Sequence, residues 1–297
     1  MNYRNVTVAG SGVLGSQIAY QTAFHGFNVS IYDINDEAIE RAKERINELK
    51  PKYQNDLNAT QEEVDTAYGR LSFYTDLAKA VENADLMIEA VPEVVEIKTS
   101  FYKELAKVAP EKTIFATNSS TMLPSQFAEF SGRPDKLLAL HFANDIWKYN
   151  TGEVMKHAGT SSAVFAEVIE FANAIGMVAL PIHKEQPGYI LNTLLVPFLN
   201  AAQYLLVNEI ADPETIDKTW MIATGAPLGP FATLDTIGIN TPYNLASARA
   251  AAGDTESAIV AEYLKVNFLD KGKLGRQNGK GFYDYPNPNF MKPDFLK

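Results

Sequence analysis

From Arg4 to about Ile182 the chain alternates short, nearly all-apolar runs with longer amphipathic stretches. The runs occupy residues 6–9, 29–32, 86–89, 113–116 and 137–140. Consecutive apolar positions, rather than alternating ones, mark strands covered on both faces, as in parallel sheets. Between them, apolar residues recur at helical spacing, as over 38–49 and 161–175. Strands and helices in alternation predict βαβ units and a doubly wound, mostly parallel sheet. After Gln186-Pro187-Gly188 the pattern changes. A long apolar helical run covers 189–207, and shorter helical segments follow, broken at Asp212-Pro213, Pro227-Leu228-Gly229-Pro230 and Gly253-Asp254. No strand pattern and no internal repeat is found there. The expected organisation is an α/β domain over 1–186 and an all-helical domain over 187–297.

Composition narrows the partners. The 297 residues carry a formal net charge of -10, with 46% hydrophobic and 21% charged residues. Such acidity argues against nucleic acid, whose phosphates need basic surface, and against anionic membranes. The absence of cysteine removes disulfides, a catalytic thiol and thiolate metal sites. The four histidines are too scattered to predict a metal centre with the carboxylates. No signal-peptide pattern opens the chain, and no apolar run approaches the roughly 20 residues that span a bilayer. The expected location is cytoplasmic.

The first run leads directly into Gly10-Ser11-Gly12-Val13-Leu14-Gly15, a helical pattern follows, and the second run ends at Asp33. Glycines alone say little. Strand, G-x-G-x-x-G, helix and an acidic residue about 20 positions on form the dinucleotide fingerprint. Gly10 permits the tight turn, Gly12 lets a pyrophosphate approach the backbone, and Gly15 lets helix and strand pack closely. Backbone N–H groups at Val13, Leu14 and Gly15 would face the phosphates. Asp33 would accept the ribose hydroxyls and repel a 2′-phosphate, so NAD is expected rather than NADP. A flavin protein shares the fingerprint, but no second glycine-rich nucleotide turn follows. The plainer alternative is a structural turn beside a solvated Asp.

Oxidising an alcohol with such a cofactor needs a group that takes the hydroxyl proton, and histidine titrates nearest neutral pH. His25 ends the first helical pattern, where it would cap that helix, and His157 and His183 lie in polar or boundary segments. His141 follows the run 137–140, at the strand edge where Rossmann sheets hold ligands. By position alone, a packing histidine is equally compatible.

At this point the chain resembles the L-3-hydroxyacyl-CoA dehydrogenase family over nearly its whole length. The marks are Ile88-Glu89-Ala90-Val91-Pro92-Glu93 with Lys98, Ala116-Thr117-Asn118-Ser119-Ser120, and Leu140-His141-Phe142 with Asn144. Further on come Pro187-Gly188-Tyr189-Ile190-Leu191-Asn192, Gly225-Ala226-Pro227-Leu228-Gly229-Pro230-Phe231 and Gly279-Lys280-Gly281-Phe282-Tyr283-Asp284-Tyr285. The resemblance implies an NAD-dependent, reversible oxidation of short-chain (S)-3-hydroxyacyl-CoA, as in fatty acid metabolism, by a homodimer. It implies His141 as general base, Glu153 as its orienting carboxylate, and Ser120 and Asn192 at the reacting carbon. Glu93, Lys98, Asn118, Ser120 and Asn144 are then expected at the cofactor. Without the resemblance, Glu153 reads as a solvated strand-edge carboxylate.

Arg41, Lys43, Arg45, Lys50 and Lys52 crowd one helical stretch. In the family this arm faces the CoA nucleotide, which makes Lys50 and Lys52 candidate substrate contacts. Glu37, Glu40, Glu44 and Glu48 are interleaved and equally fit a solvated, internally paired face. The chain also departs from the family's His-Phe-Phe-Asn-Pro: it reads His141-Phe142-Ala143-Asn144-Asp145, then Ile146-Trp147-Lys148-Tyr149-Asn150-Thr151-Gly152 before Glu153, and Thr193 stands where Arg is common. This loop borders the family's acyl pocket, where Lys148 could meet a free carboxylate and Trp147 could narrow the space. Two alternatives therefore stand beside the CoA dehydrogenase: a dehydrogenase of a free 3-hydroxy acid or related non-CoA compound, and a non-catalytic NAD-binding protein.

Overall fold

Each of the five apolar runs forms a strand, and three further strands join them. They are β1 (Asn5–Ala9), β2 (Asn28–Tyr32), β3 (Leu71–Tyr74), β4 (Leu86–Glu89), β5 (Ile114–Thr117), β6 (Leu137–Phe142), β7 (Thr151–Met155) and β8 (Val178–Ile182). The computed structural model, which describes residues 3–297, arranges them as one eight-stranded sheet in the order β3-β2-β1-β4-β5-β6-β7-β8. Every neighbouring pair is parallel except β6 and β7, which run antiparallel. This is the expected Rossmann-type doubly wound sheet. The added strands have weaker signals: β3 is a half-exposed edge, β7 carries Gly152 and Glu153, and β8 contains Pro181.

The helices of this part are α1 (Val13–Phe24), α2 (Asp36–Leu57), α3 (Gln61–Gly69), α4 (Leu77–Val81), α5 (Val95–Val108) and α6 (Ser162–Ala174). Strand residues alternate between the two sheet faces. Leu86, Ile88, Ile114, Ala116, Leu138 and Leu140 join the core with α1, α2 and α6. Met87, Phe115 and Leu137 pack with Tyr102 and Leu105 of α5. His141 is two residues from Ala139, so it shares that residue's face, where Ala139 packs with Met155, Ile182 and Tyr189.

The chain divides into two compact units, Met1–Ile190 and Leu191–Lys297. The helical run expected from 189 starts at Leu191 instead, because Gly188 and Tyr189 both take left-handed φ, 82° and 57°. The second unit holds α7 (Leu191–Val207), α8 (Pro213–Thr224), α9 (Pro230–Ile237), α10 (Asn240–Ala251) and α11 (Thr255–Asn267). Its interior is built around Leu199, Leu206, Phe231, Leu234 and Tyr283. Among the described residues, no helix is long and apolar enough to cross a membrane.

Two buried carboxylates tie this unit together. Asp217 of α8 accepts the Phe231 and Ala232 N–H groups at the start of α9, and the Tyr283 hydroxyl at 2.9 Å. Asp235 of α9 accepts the Phe282 and Tyr283 N–H groups and the Tyr285 hydroxyl. Burial pushes both carboxyls above the usual range, against the pull of these donors. Asp235→Ala leaves several buried donors unpaired and should cost about 3 kcal/mol. Urea unfolding at pH 7 checks this, as a lowered midpoint with an unchanged slope.

Candidate active site

The connection from β1 to α1 is built as a dinucleotide cradle. Gly10 has φ 92°, and a Cβ there would collide with the Ala90 carbonyl of the segment after β4. A Cβ on Gly15 would fall onto the Gly10 carbonyl. Gly12 is different: a Cβ there would meet nothing within 4 Å. It faces the open cleft where a phosphate would press against backbone. Gly12 is also the N-cap of α1 and supplies no side-chain cap, leaving the helix's first N–H groups for an anion. The cleft has a volume of about 240 Å³, and its lining includes Gly12, Val13, Glu93, Lys98, Asn118 and Ser120. These features fit NAD. Asp33 directly follows β2, with its carboxylate held by the Ser11 N–H at 2.8 Å, the Ser11 hydroxyl and the Ile34 N–H. Three donors leave capacity on its oxygens for a further donor.

At the cleft wall a buried ion pair organises the loops. Lys98 of α5 lies 2.5 Å from Glu89 and 3.2 Å from Glu93. Glu89 also accepts the Val91 N–H and the Thr117 hydroxyl. Burial pushes the Glu89 carboxyl up, against Lys98 and these donors. Burial acts on Glu93 in the same sense. There it is outweighed by the Ser119 hydroxyl, the Lys98 ammonium and Thr121, which hold the carboxyl below the usual range. Glu93 thereby clamps the turn that carries Ser120. Asn118 accepts the Phe142 N–H at 3.0 Å and ties the end of β5 to the end of β6.

His141 and Glu153 are directly opposed across the antiparallel β6–β7 ladder. Directly opposed residues project to the same face. Glu153 Oε2 lies 3.0 Å from His141 Nδ1, and Glu153 Oε1 accepts the Ile190 N–H at 2.9 Å. Both side chains are buried, with 5% and 3% of their surface exposed. An acceptor at Nδ1 selects the tautomer with its proton there, so the lone pair sits on Nε2. Ser120 Oγ lies 3.0 Å from that Nε2. The resulting unit is a hydrogen-bonded chain from Glu153 through His141 to Ser120, and Ser120 also lines the cleft.

The remaining predicted residues are placed as follows. Asn144 is exposed on the loop after β6, and Asn192 lies in the first turn of α7, in the second unit. Lys50 pairs with Asp65 at 3.0 Å and covers the Tyr68 ring. Lys52 lies over the Trp147 ring. Arg41 and Lys43 pair with Glu37 and Glu40, and Arg45 donates to the Ser11 carbonyl. His25 ends α1, His157 is held by the Pro134 carbonyl and the Gly159 N–H, and His183 is exposed.

The unusual loop between His141 and Glu153 has a physical explanation. Asp145 has φ 58° and donates its N–H to Gln17 of α1 at 2.8 Å. Proline can do neither, since its ring fixes φ near −65° and it has no N–H. Trp147 is buried against Tyr53, and its Nε1 donates to Asp56 of α2 at 2.8 Å. Lys148 lies 3.8 Å from the same carboxylate. Trp147 thus anchors the loop on α2, while Lys148 stays half exposed beside the same carboxylate.

Sequence inspection passed over Tyr189, Gln17 and the role of Glu89. A glutamate closing an apolar strand was the available signal for Glu89, because such a charge needs a buried partner. The glycine geometry predicts a separation of effects. Gly12→Ala should weaken NADH binding at least about tenfold at unchanged thermal stability, since only the cleft is filled. Gly15→Ala should lower the unfolding temperature by several degrees. Fluorescence titration and thermal melts of the two variants check this.

Comparison with known proteins follows the same two-part division. Residues 5–186 match the model of the 3-hydroxyacyl-CoA dehydrogenase NAD binding domain, and residues 188–285 match that of the 3-hydroxyacyl-CoA dehydrogenase C-terminal domain. The chain is 32% identical to a probable 3-hydroxybutyryl-CoA dehydrogenase of Bacillus subtilis, covering 96% of this chain and 98% of that one. It is 33% identical to the human mitochondrial hydroxyacyl-coenzyme A dehydrogenase, covering 95% and 91%. It is 52% identical to the solved structure of a diketoreductase described for its substrate-directed dual catalysis of dicarbonyl compounds, covering 96% of this chain and 100% of that one at a TM-score of 0.93. With both of the family's domains matched in order on one chain, this protein belongs to the 3-hydroxyacyl-CoA dehydrogenase family of NAD-dependent enzymes.

Proposed function

We propose that this enzyme interconverts a 3-hydroxyl and a 3-keto group, with His141 as the acid–base residue. The observation that carries this reading is the buried Glu153–His141 pair and its contact to Ser120 at the rim of the dinucleotide cleft. The Gly10–Gly15 turn and Asp33 would hold NAD, which would supply a hydride acceptor for the carbon bearing the hydroxyl. His141 Nε2 takes the hydroxyl proton as that carbon is oxidised, and returns it when a ketone is reduced. Glu153 fixes the Nδ1–H tautomer and stabilises the imidazolium that forms. Ser120, within hydrogen-bond distance of Nε2, orients the reacting oxygen. Asn192 is expected to contact the same carbon, Asn144 the nicotinamide end of the cofactor, and Asp33 the adenosine ribose. The exposed Leu194 and Tyr204 on the apolar helix α7 support a homodimer, and we expect a cytoplasmic location.

Two substrate classes fit this chemistry. The names of the Bacillus and human relatives support a short-chain (S)-3-hydroxyacyl-CoA, with Lys50 and Lys52 as candidate phosphate contacts. The second class, a 3-keto compound without CoA, is favoured by the 52% identity to the diketoreductase. It is favoured also by the internal pairing of the α2 cations, which leaves Lys50 engaged with Asp65.

NADH oxidation with acetoacetyl-CoA, free acetoacetate and 2,4-pentanedione separates the two. His141→Gln should reduce turnover of whichever substrate works by about 10³-fold. A strong preference for the thioester, with a raised KM in Lys50→Ala and Lys52→Ala, supports the CoA substrate. Comparable turnover of the diketone, indifferent to those lysines, supports the second class. Full activity in His141→Gln would overturn the assignment of the base.

A further inference from the structure

We propose that Tyr189 is a positioning residue for His141, fixing the tilt of the imidazole that hydrogen bonds alone leave free. This rests on the assignment of His141 as the base. Two contacts in the ring plane hold the imidazole, Glu153 at Nδ1 and Ser120 at Nε2, each at 3.0 Å. They set the ring's position and its in-plane direction. Both lie close to the line joining the two nitrogens, so neither resists rotation of the ring about that line. Such a rotation carries the Nε2 lone pair out of the direction in which it must meet a hydroxyl proton.

Tyr189 supplies the missing constraint. Its ring lies on the imidazole face, with centroids 4.3 Å apart and planes inclined by 19°. The phenol is itself held: it is 1% exposed, and its hydroxyl donates to the Ser119 carbonyl at 2.7 Å. Burial, reinforced by the nearby Glu153 and Glu93 carboxylates, pushes the phenol far up, so it stays a neutral donor. The anchor is the residue next to Ser120, so the same turn sets both the in-plane contact and the face contact. The backbone completes the arrangement, because the next N–H, that of Ile190, donates to Glu153 Oε1. One dipeptide thus braces both members of the pair: Tyr189 through its ring and Ile190 through its amide. A left-handed φ of 57° at Tyr189 is uncommon for a residue with an aromatic side chain and is over-determined here by these contacts. Stacking also covers one face of the imidazole.

The test compares Tyr189→Phe and Tyr189→Leu in the NADH-bound enzyme. Phe keeps the ring and loses its anchor, whereas Leu loses the stack. Misplacement of a catalytic group by about an ångström can cost about 10²-fold. The expected kcat losses are therefore about 5-fold for Phe and about 10²-fold for Leu, with the NADH dissociation constant and the number of NADH sites within twofold of wild type. The isotope effect with deuterated NADH should rise in Tyr189→Leu as the chemical step becomes limiting. The loss should be less than multiplicative with Glu153→Gln, because both act through the same ring. Unchanged kcat in Tyr189→Leu beside an inactive His141→Gln overturns the proposal and leaves the base in place. A loss matched by missing NADH sites marks a merely structural role and also overturns it. An active His141→Gln removes the base itself, and the proposal with it.

Discussion

The reversal of strand direction between β6 and β7 is the constraint on which the candidate site depends. In a wholly parallel sheet, consecutive strands are joined by crossovers, and their neighbouring residues are separated by long stretches of chain. Here an antiparallel ladder sets Glu153 opposite His141 with only twelve residues between them. The hydrogen bonds of that ladder fix the pair before any side chain contributes. A carboxylate with 3% of its surface exposed needs hydrogen-bond partners, and the histidine opposite is one. Because β8 again runs parallel to β7, the sheet continues past the reversal and buries the pair on both sides.

A second buried charge system stands on the neighbouring strands. Glu89 and Lys98 are almost wholly inaccessible, and each oxygen of Glu89 has a donor. From there contacts run through Glu93 to the Ser119–Thr121 turn, and from that turn to His141 and Tyr189. Breaking a buried pair of this kind leaves an uncompensated charge, whereas the exposed pairs along α2 contribute little to stability. The same residue types therefore do different work on the two surfaces: one set holds a site, and the other solubilises a helix.

What could be read from the sequence follows from how local its causes are. The glycine turn is governed by its own φ values and by contacts with one strand, and its fingerprint carries that information within about 25 residues. The five apolar strands were readable for a similar reason, since burial on both faces leaves an unbroken hydrophobic run. Strand β7 was not, because Gly152 and Glu153 sit where a strand signal is sought. The substitution at Asp145 was visible, but its left-handed backbone and its bond to Gln17 were not. Tyr189 was hidden more deeply: it lay inside an apparent helical run, and its anchor is 70 residues away in sequence.

The β6–β7 hairpin also keeps two attachments apart. Its ladder carries His141 and Glu153, and its eight connecting residues, 143–150, carry neither. Those residues have their own attachment through Trp147 and Asp56. Changes in the connection are therefore absorbed by helix α2 and leave the register of the strands alone. The pairing of His141 with Glu153 and the attachment of the loop thus rest on different parts of the fold, one on the sheet and the other on a helix.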